Sequence, residues 1–245
     1  MTDGIILIDK PADMTSFGVV ARVRRVLSEQ QKGKEQPEQL AMPVPGAMRK
    51  TVGVSHKRQR VKVGHCGTLD PFATGLLILC VGKECKNAGT YMKHDKVYEA
   101  TFRLGQESTT GDPEGELTDI SGKVPTREEI EQVLSQFTGS IQQRPPIFSA
   151  LKIDGVRAYK LARDGQEVEI PLRTITIHSL ELIDYTYPEL KIRTHVSSGT
   201  YIRSLGVDIG KALGTGAYCS ELRRTSIAKW SVSDAQALAD FGVTS

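Results

Sequence analysis

One carboxylate, Asp70, stands in the stretch VGHCGTLDPFATGLLILCVG (63–82), between a turn-rich half and an unbroken apolar run. An ionised side chain so placed can act as a nucleophile or a base. An Asp before a Pro more often caps a helix, with the Pro at the first helical position. Two features weaken the cap here. Thr74-Gly75 and a β-like run follow within a few residues, and GHCGT puts two glycines where backbone must turn sharply or approach something closely. Arg203 is a second anomaly, because it falls in the first turn of a helix expected over 200–213. A cation there faces the positive end of the helix dipole, at a cost of about 0.3–1 kcal/mol. A surface Arg tolerates that; a buried anion would make use of it. Tyr98 shares one face of an expected strand with Ala100 and Phe102, as a core aromatic would. His65, between Gly64 and Cys66, reads on its own as a loop histidine, and LRRT (222–225) as a strand end with Arg223 and Arg224 on opposite faces.

Around these residues the chain alternates irregularly between elements. GIILID (4–9) predicts a buried strand stopped by Pro11. A helix is expected from Ser16, with Val19, Val20, Val23, Val26 and Leu27 on one side. SEQQKGKEQPEQ (28–39) has no apolar period and predicts a mobile loop. GLLILCVG (75–82) and KVYEATFRLG (96–105) predict strands, and QESTTGDPEGE a turn-rich loop. Thr126 and Glu129 form a capping box before a helix to about Phe137. Further strands are expected in PPIFSALKIDG, RTITIHSLELIDY and ELKIRTHVSS, and a helix in VRAYKLARDG closed by Gly165. Ile202, Leu205, Ile209 and Leu213 keep helical spacing up to Gly214. No linker divides residues 1–245 and no repeat appears, so the pattern predicts one α+β domain built on a large mixed sheet.

Bulk properties narrow the setting. The 245 residues are 39% hydrophobic and 25% charged, with a net charge of +3. No apolar run reaches the length of a membrane span, and the opening residues, with no basic stretch before a long apolar one, lead to no expectation of a secretory signal. Cys66, Cys80, Cys85 and Cys219 form no CxxC or disulfide-like spacing, and there is no HxxxH, so reduced thiols, no metal and a cytoplasmic location are expected. Between Gln39 and Leu69 there is no acid, while Arg49, Lys50, Lys57, Arg58, Arg60 and Lys62 are basic. That one-sidedness suits phosphate contacts as well as a solvated insert over 29–61.

GHCGTLDPFATGLL, KVYEATFRLGQESTTGDPEG, RPPIFSALKIDGVRAYKLAR, SSGTYIRSLGVDIGKALGTGA and LRRT, in this order, resemble the motifs of the bacterial tRNA pseudouridine-55 synthase (TruB-type) family. The likeness runs from GIILIDKPADMTS to about residue 230. It implies the pseudouridine synthase fold, a mostly antiparallel sheet flanked by helices with a central active-site cleft. It implies an isomerase that flips a T-loop uridine of tRNA, detaches uracil from C1′ and rejoins it through C5, without cofactor or metal. By the same resemblance Asp70 is the catalytic acid group, held ionised by Arg203, and Tyr98 stacks on the uracil and assists proton removal from C5. His65 fills the space left by the flipped nucleotide. Leu222 lies under the base, Lys10 supports the cleft, and Arg223 and Arg224 serve site structure or phosphate contact. Cys66 and Phe72 stand where the family more often has Thr and Leu. The 29–61 segment is longer than a bare core needs, and the pattern is that of a short form lacking the C-terminal PUA domain many members carry.

Two other classes compete. A non-catalytic RNA-binding or tRNA-folding protein would have no need of Asp70, Tyr98 and Arg203 together. A glycosidase would use two flanking carboxylates, whereas Asp112 and Glu114 are expected in a separate, flexible loop. Nothing in the sequence demands more than a monomer. If the basic stretch meets phosphates, changing Arg58, Arg60 and Lys62 to Ala lowers tRNA affinity. The slope of log affinity against log salt then becomes shallower by about 2–3, as filter binding across a salt series would show; an unchanged slope refutes the contact.

Overall fold

The computed structural model describes residues 3–34, 61–149, 152–153, 156–157 and 170–241. In chain order the elements are β1 (Gly4–Lys10), α1 (Ser16–Lys34), β2 (Val63–His65), β3 (Thr74–Val81), α2 (Ala88–Met92) and β4 (Lys96–Leu104). Then come β5 (Gln106–Ser108), β6 (Leu117–Asp119), α3 (Arg127–Gln136), β7 (Gly139–Gln143), β8 (Lys152–Ile153) and β9 (Val156–Arg157). The remainder are β10 (Arg173–Thr186), β11 (Glu189–Val196), α4 (Ile202–Leu213), β12 (Ala217–Ile227), β13 (Trp230–Ser231) and β14 (Gln236–Ala237).

A ten-stranded sheet runs β14-β1-β3-β12-β4-β11-β10-β7, with β2 on β3 and β13 on β12. Only β1/β14 and β3/β12 pair in parallel, so the sheet is mixed and mostly antiparallel, as expected. β3 shows why its apolar run is unbroken. Leu77, Leu79 and Val81 pack with Val19, Val20 and Val23 of α1, while Leu76, Ile78 and Cys80 pack with Ile227 on the other face. Both faces are covered, so both sets of alternating residues must be apolar. A larger core joins Ala100, Phe102 and Leu104 of β4 to Leu205, Ile209 and Leu213 of α4, and to Ile130 and Leu134 of α3.

Helix signals read from sequence hold in detail. Thr126 and Glu129 make the reciprocal capping box, and α4 ends at Gly214 in the left-handed conformation, φ 71°. Two expectations change. α1 continues to Lys34, into the stretch read as a loop from 28. Its last turns carry no apolar face to bury, but Glu, Gln and Lys are good helix formers, and Arg25 pairs with Glu29 one turn on, at 3.5 Å. In RPPIFSALKIDG the short β8 pairs with β9 as a hairpin in place of one longer strand. The helix expected in 156–165, apart from β9, and the basic residues Arg49 to Arg60 lie outside the described residues.

The parallel contact of β3 with β12 depends on one glycine. Gly75 has φ +103°, and a Cβ there would collide with the Arg224 backbone. Gly75→Ala is therefore expected to lower stability by about 3 kcal/mol, from left-handed strain plus overpacking. Urea unfolding measures this; a loss below about 1 kcal/mol would show that the two strands can part without penalty.

Candidate active site

Asp70 follows β2 in a tight turn closed by the Ala73 N–H on the Asp70 carbonyl, 3.2 Å. No helix starts at Pro71, so the side chain caps nothing. Three tethers fix the turn. Ser16 Oγ donates to the Leu69 carbonyl at 2.9 Å and accepts from the Leu69 N–H at 2.8 Å. Lys10 Nζ donates to the carbonyls of Pro11, Met14 and Pro71, the last at 3.0 Å. Arg224 donates from its Nη atoms to Thr68 and Gly67 carbonyls and from Nε to the Leu76 carbonyl, 2.8 Å.

The anomalous arginine proves to be the partner of the acid. Arg203 is 4% exposed, and its Nε lies 3.0 Å from Asp70 Oδ2. The Nε–H does not point along that line, so the contact is an ion pair without an aligned hydrogen bond. Both Nη atoms are engaged: Nη1 donates to the Thr110 carbonyl (2.9 Å) and to Asp112 Oδ2 (2.8 Å), and Nη2 to the Phe148 carbonyl (2.8 Å). α4 can hold a cation in its first turn because these anions and carbonyls surround it. The start of α4 is itself pinned by Gln143, which bonds both the N–H and the C=O of Tyr201.

Asp112 is thus a correction. Read as part of a flexible loop, it is buried, and its Oδ1 accepts from Thr110 Oγ1 and the Glu114 N–H. With both oxygens occupied it cannot serve as the second acid of a glycosidase; it positions Arg203. Desolvation raises the Asp70 carboxyl above its ordinary value; Arg203 opposes that, Asp112 adds to it, and Lys10 opposes it more weakly.

Asp70 and Arg203 line a cavity of about 320 Å³ together with Tyr98, Leu222, Lys96 and Arg224, in the size range of small-ligand sites. Tyr98 is cross-strand from Arg224 on β12 and from Thr194 on β11. Leu222 and Arg224, two apart, share the cavity face of β12, and Lys96 and Tyr98 do the same on β4. The sequence reading misses Lys96 as a lining residue, although the period of two from Tyr98 points to it. Lys96 Nζ donates to the Met92 and His94 carbonyls, and burial, then Arg224, lowers its pKa to about 8.

Other expected site residues sit further out. Arg223 points away from the cavity and forks onto Asp9, with Nη2 to Oδ2 at 2.7 Å and Nη1 to Oδ1 at 3.1 Å. The arginine of the pair that belongs to the site is Arg224. Lys10, expected to support the cleft, is fully buried with its ammonium spent on three carbonyls, as a post beneath the Asp70 turn. His65 is half-buried at the end of β2 and is not among the cavity-lining residues; its Nδ1 has no partner, and burial and Arg224 lower its pKa, favouring the neutral ring. Lys62 is exposed just before β2, while Arg58 and Arg60 lie outside the described residues.

Comparison with known proteins bears on the family of the chain. The family model described as TruB family pseudouridylate synthase (N terminal domain) matches residues 52–202. Proteins named tRNA pseudouridine synthase B from Azoarcus sp. and Parabacteroides distasonis are 41% and 42% identical over 227 and 224 residues. These matches take in 93% and 91% of this chain, and 65% and 85% of the relatives. The chain thus spans under two thirds of the first relative's length. Among solved structures, a Cbf5–Nop10–Gar1 complex aligns with TM-score 0.66 and 29% identity over 97% of this chain and 53% of that one. An H/ACA RNP bound to a substrate RNA containing 2′-deoxyuridine aligns with TM-score 0.63 and 27% identity, over 97% and 51%. A carboxylate held beside a buried arginine in a cleft of this mixed sheet, and these likenesses in sequence and fold, lead to one assignment: the chain belongs to the TruB family of pseudouridylate synthases.

Proposed function

We propose that this protein isomerises a uridine in the T-loop of tRNA, position 55, to pseudouridine, acting in the cytoplasm as a monomer. The observation that carries the reading is the Asp70–Arg203 pair, 3.0 Å apart, on the wall of a cavity that also presents Tyr98 and Leu222. The fold and the named relatives make tRNA the natural substrate class. Among the described residues no helix is long and apolar enough to cross a membrane.

The chemistry follows from placement. C1′ and C5 of a stacked uridine are out of reach, so the nucleotide leaves its stack and enters the cavity. Leu222 offers an apolar surface and Tyr98 an aromatic one to the base. Ionised Asp70 acts on the ribose, by attack at C1′ or by taking the 2′ proton, as the C1′–N1 bond breaks. The freed uracil turns and C5 bonds to C1′, either displacing the Asp70 carboxylate from C1′ or, on the other path, with the proton returned to C2′; the C5 proton then departs and N1 gains one. Tyr98, which lines the cavity, assists the removal of the C5 proton. Arg203 does not touch the base; it keeps Asp70 charged.

Tritium release from C5-labelled uridine in a T-arm stem-loop tests the proposal. Wild type should release tritium, and Asp70→Asn should lower the rate by roughly 10²–10⁴-fold. The same change should not lower the thermal midpoint. A carboxyl whose folded pKa is raised is destabilising when ionised at neutral pH, and Arg203 keeps Asp112, Thr110 and Phe148. No release by wild type would leave the non-catalytic RNA-binding reading; release that survives Asp70→Asn would remove Asp70 from the chemistry.

The pH profile separates the neighbours. Activity needs the ionised form, so it falls as pH drops through the raised Asp70 pKa, above the ordinary aspartate range. Arg203 lowers that pKa and Asp112 raises it. The acid limb of single-turnover rate should therefore move to higher pH in Arg203→Gln and to lower pH in Asp112→Asn. Shifts in the same direction would refute the electrostatic roles.

A further inference from the structure

Behind β4, on the face away from the cavity, three potential metal ligands converge, two from strands and one from the residue before a strand. Asp95 immediately precedes β4, His178 lies on β10 and His195 on β11. Along β4, Lys96 and Tyr98 face the cavity, so Val97 faces the other way, and His195 is its cross-strand partner. His178 is brought to the same side by a bulge. Ile177 pairs with Val196 and Ser179 with His195, leaving His178 as the extra residue between them. Ile177 is core, so the residue after it points outward, beside the His195 ring.

The spacing is that of a nearly assembled site. His178 Nε2 lies 3.1 Å from Asp95 Oδ2, close to the roughly 3.3 Å that separates neighbouring ligand atoms around a tetrahedral zinc ion. The two imidazole rings are 4.6 Å apart between centroids and tilted by 42°. One ligand atom from each of the three residues fits within 4.8 Å of the others. The Asp95 and His178 side chains are 45% and 38% exposed, so ring rotation can close the remaining gap and water can take a fourth position. The backbone beneath is fixed, since the Asp95 carbonyl accepts from the Ala228 N–H at 3.0 Å. Arg193, two residues before His195, is taken by Glu99 at 2.7 Å and leaves no free cation from that strand position. No spacing in the sequence could announce this group, because its members are 83 and 17 residues apart along the chain (178 − 95 and 195 − 178).

The geometry points to a binding site for a divalent transition metal of the zinc class, held by Asp95, His178 and His195, which ties β4, β10 and β11 together behind Tyr98. Two imidazoles and one carboxylate suit zinc, cobalt or nickel and not magnesium. The site is independent of the proposed reaction.

Titration of the full, chelator-stripped chain with Zn²⁺ against a chromophoric competitor tests it. Wild type should bind one equivalent that Mg²⁺ does not displace. His178→Gln and His195→Gln should each weaken that binding about tenfold or more, and Asp95→Asn should weaken it measurably. Bound Zn²⁺ should raise the thermal midpoint of wild type and not that of the His variants. Because Cys66, Cys80 and Cys85 could also take soft metals, the Co²⁺ form is read by absorption: nitrogen and oxygen ligation gives no thiolate charge-transfer band. Absence of a bound equivalent, an affinity unchanged in both His variants, or a thiolate band overturns the assignment. Should one His variant fail to fold, the exposed Asp95→Asn and the cobalt spectrum still decide.

Discussion

In the proposed reaction a carboxylate is useful at C1′ or at a ribose hydroxyl only while it is charged, and burial drives it toward the neutral acid. The rest of this site is arranged around that conflict. Arg203 supplies the opposing charge from inside α4, where a lone cation would be disfavoured. Asp112 then holds Arg203, although its own charge works against Asp70. The result is a compromise: a raised but ionisable carboxyl, partly open to the cavity, beside a guanidinium whose Nη atoms are occupied and cannot swing away.

Placement of the acid is a separate problem from its charge, and other residues solve it. Ser16 at the start of α1, Lys10 at the end of β1 and Arg224 from β12 each bind backbone carbonyls of the 67–71 turn. None of these side chains need contact a substrate. Each is buried, and a buried cation is stable here because several carbonyls receive it. The turn therefore draws its order from three distant parts of the chain, and the parallel β3/β12 contact through Gly75 holds two of them in register.

What sequence could reveal depended on whether a residue's task was local. The capping box at Thr126, the Gly214 stop and the two-sided apolar run of β3 depend on near neighbours, and all were legible. The convergence of Asp70, Tyr98 and Arg203 has no local signature; only the resemblance of motifs announced it. Asp112 escapes a sequence reading because GDPEG looks like a solvated turn, and its burial is caused by an arginine 91 positions away. Arg223 and Arg224 differ by one place, and strand parity decides which reaches the cavity. α1 outran its apolar period because the propensity of Glu, Gln and Lys can carry a helix end whose sequence offers no apolar face.

The three tethers on the 67–71 turn have a consequence for recognition. A site this firmly braced has little compliance, so the distortion required by the proposed reaction falls on the RNA. Selection then works on the partner's pliability: a nucleotide that leaves its stack at low cost reaches Asp70, and one in a stiff helix does not. On this view the walls read how readily a loop gives way as much as which base it holds.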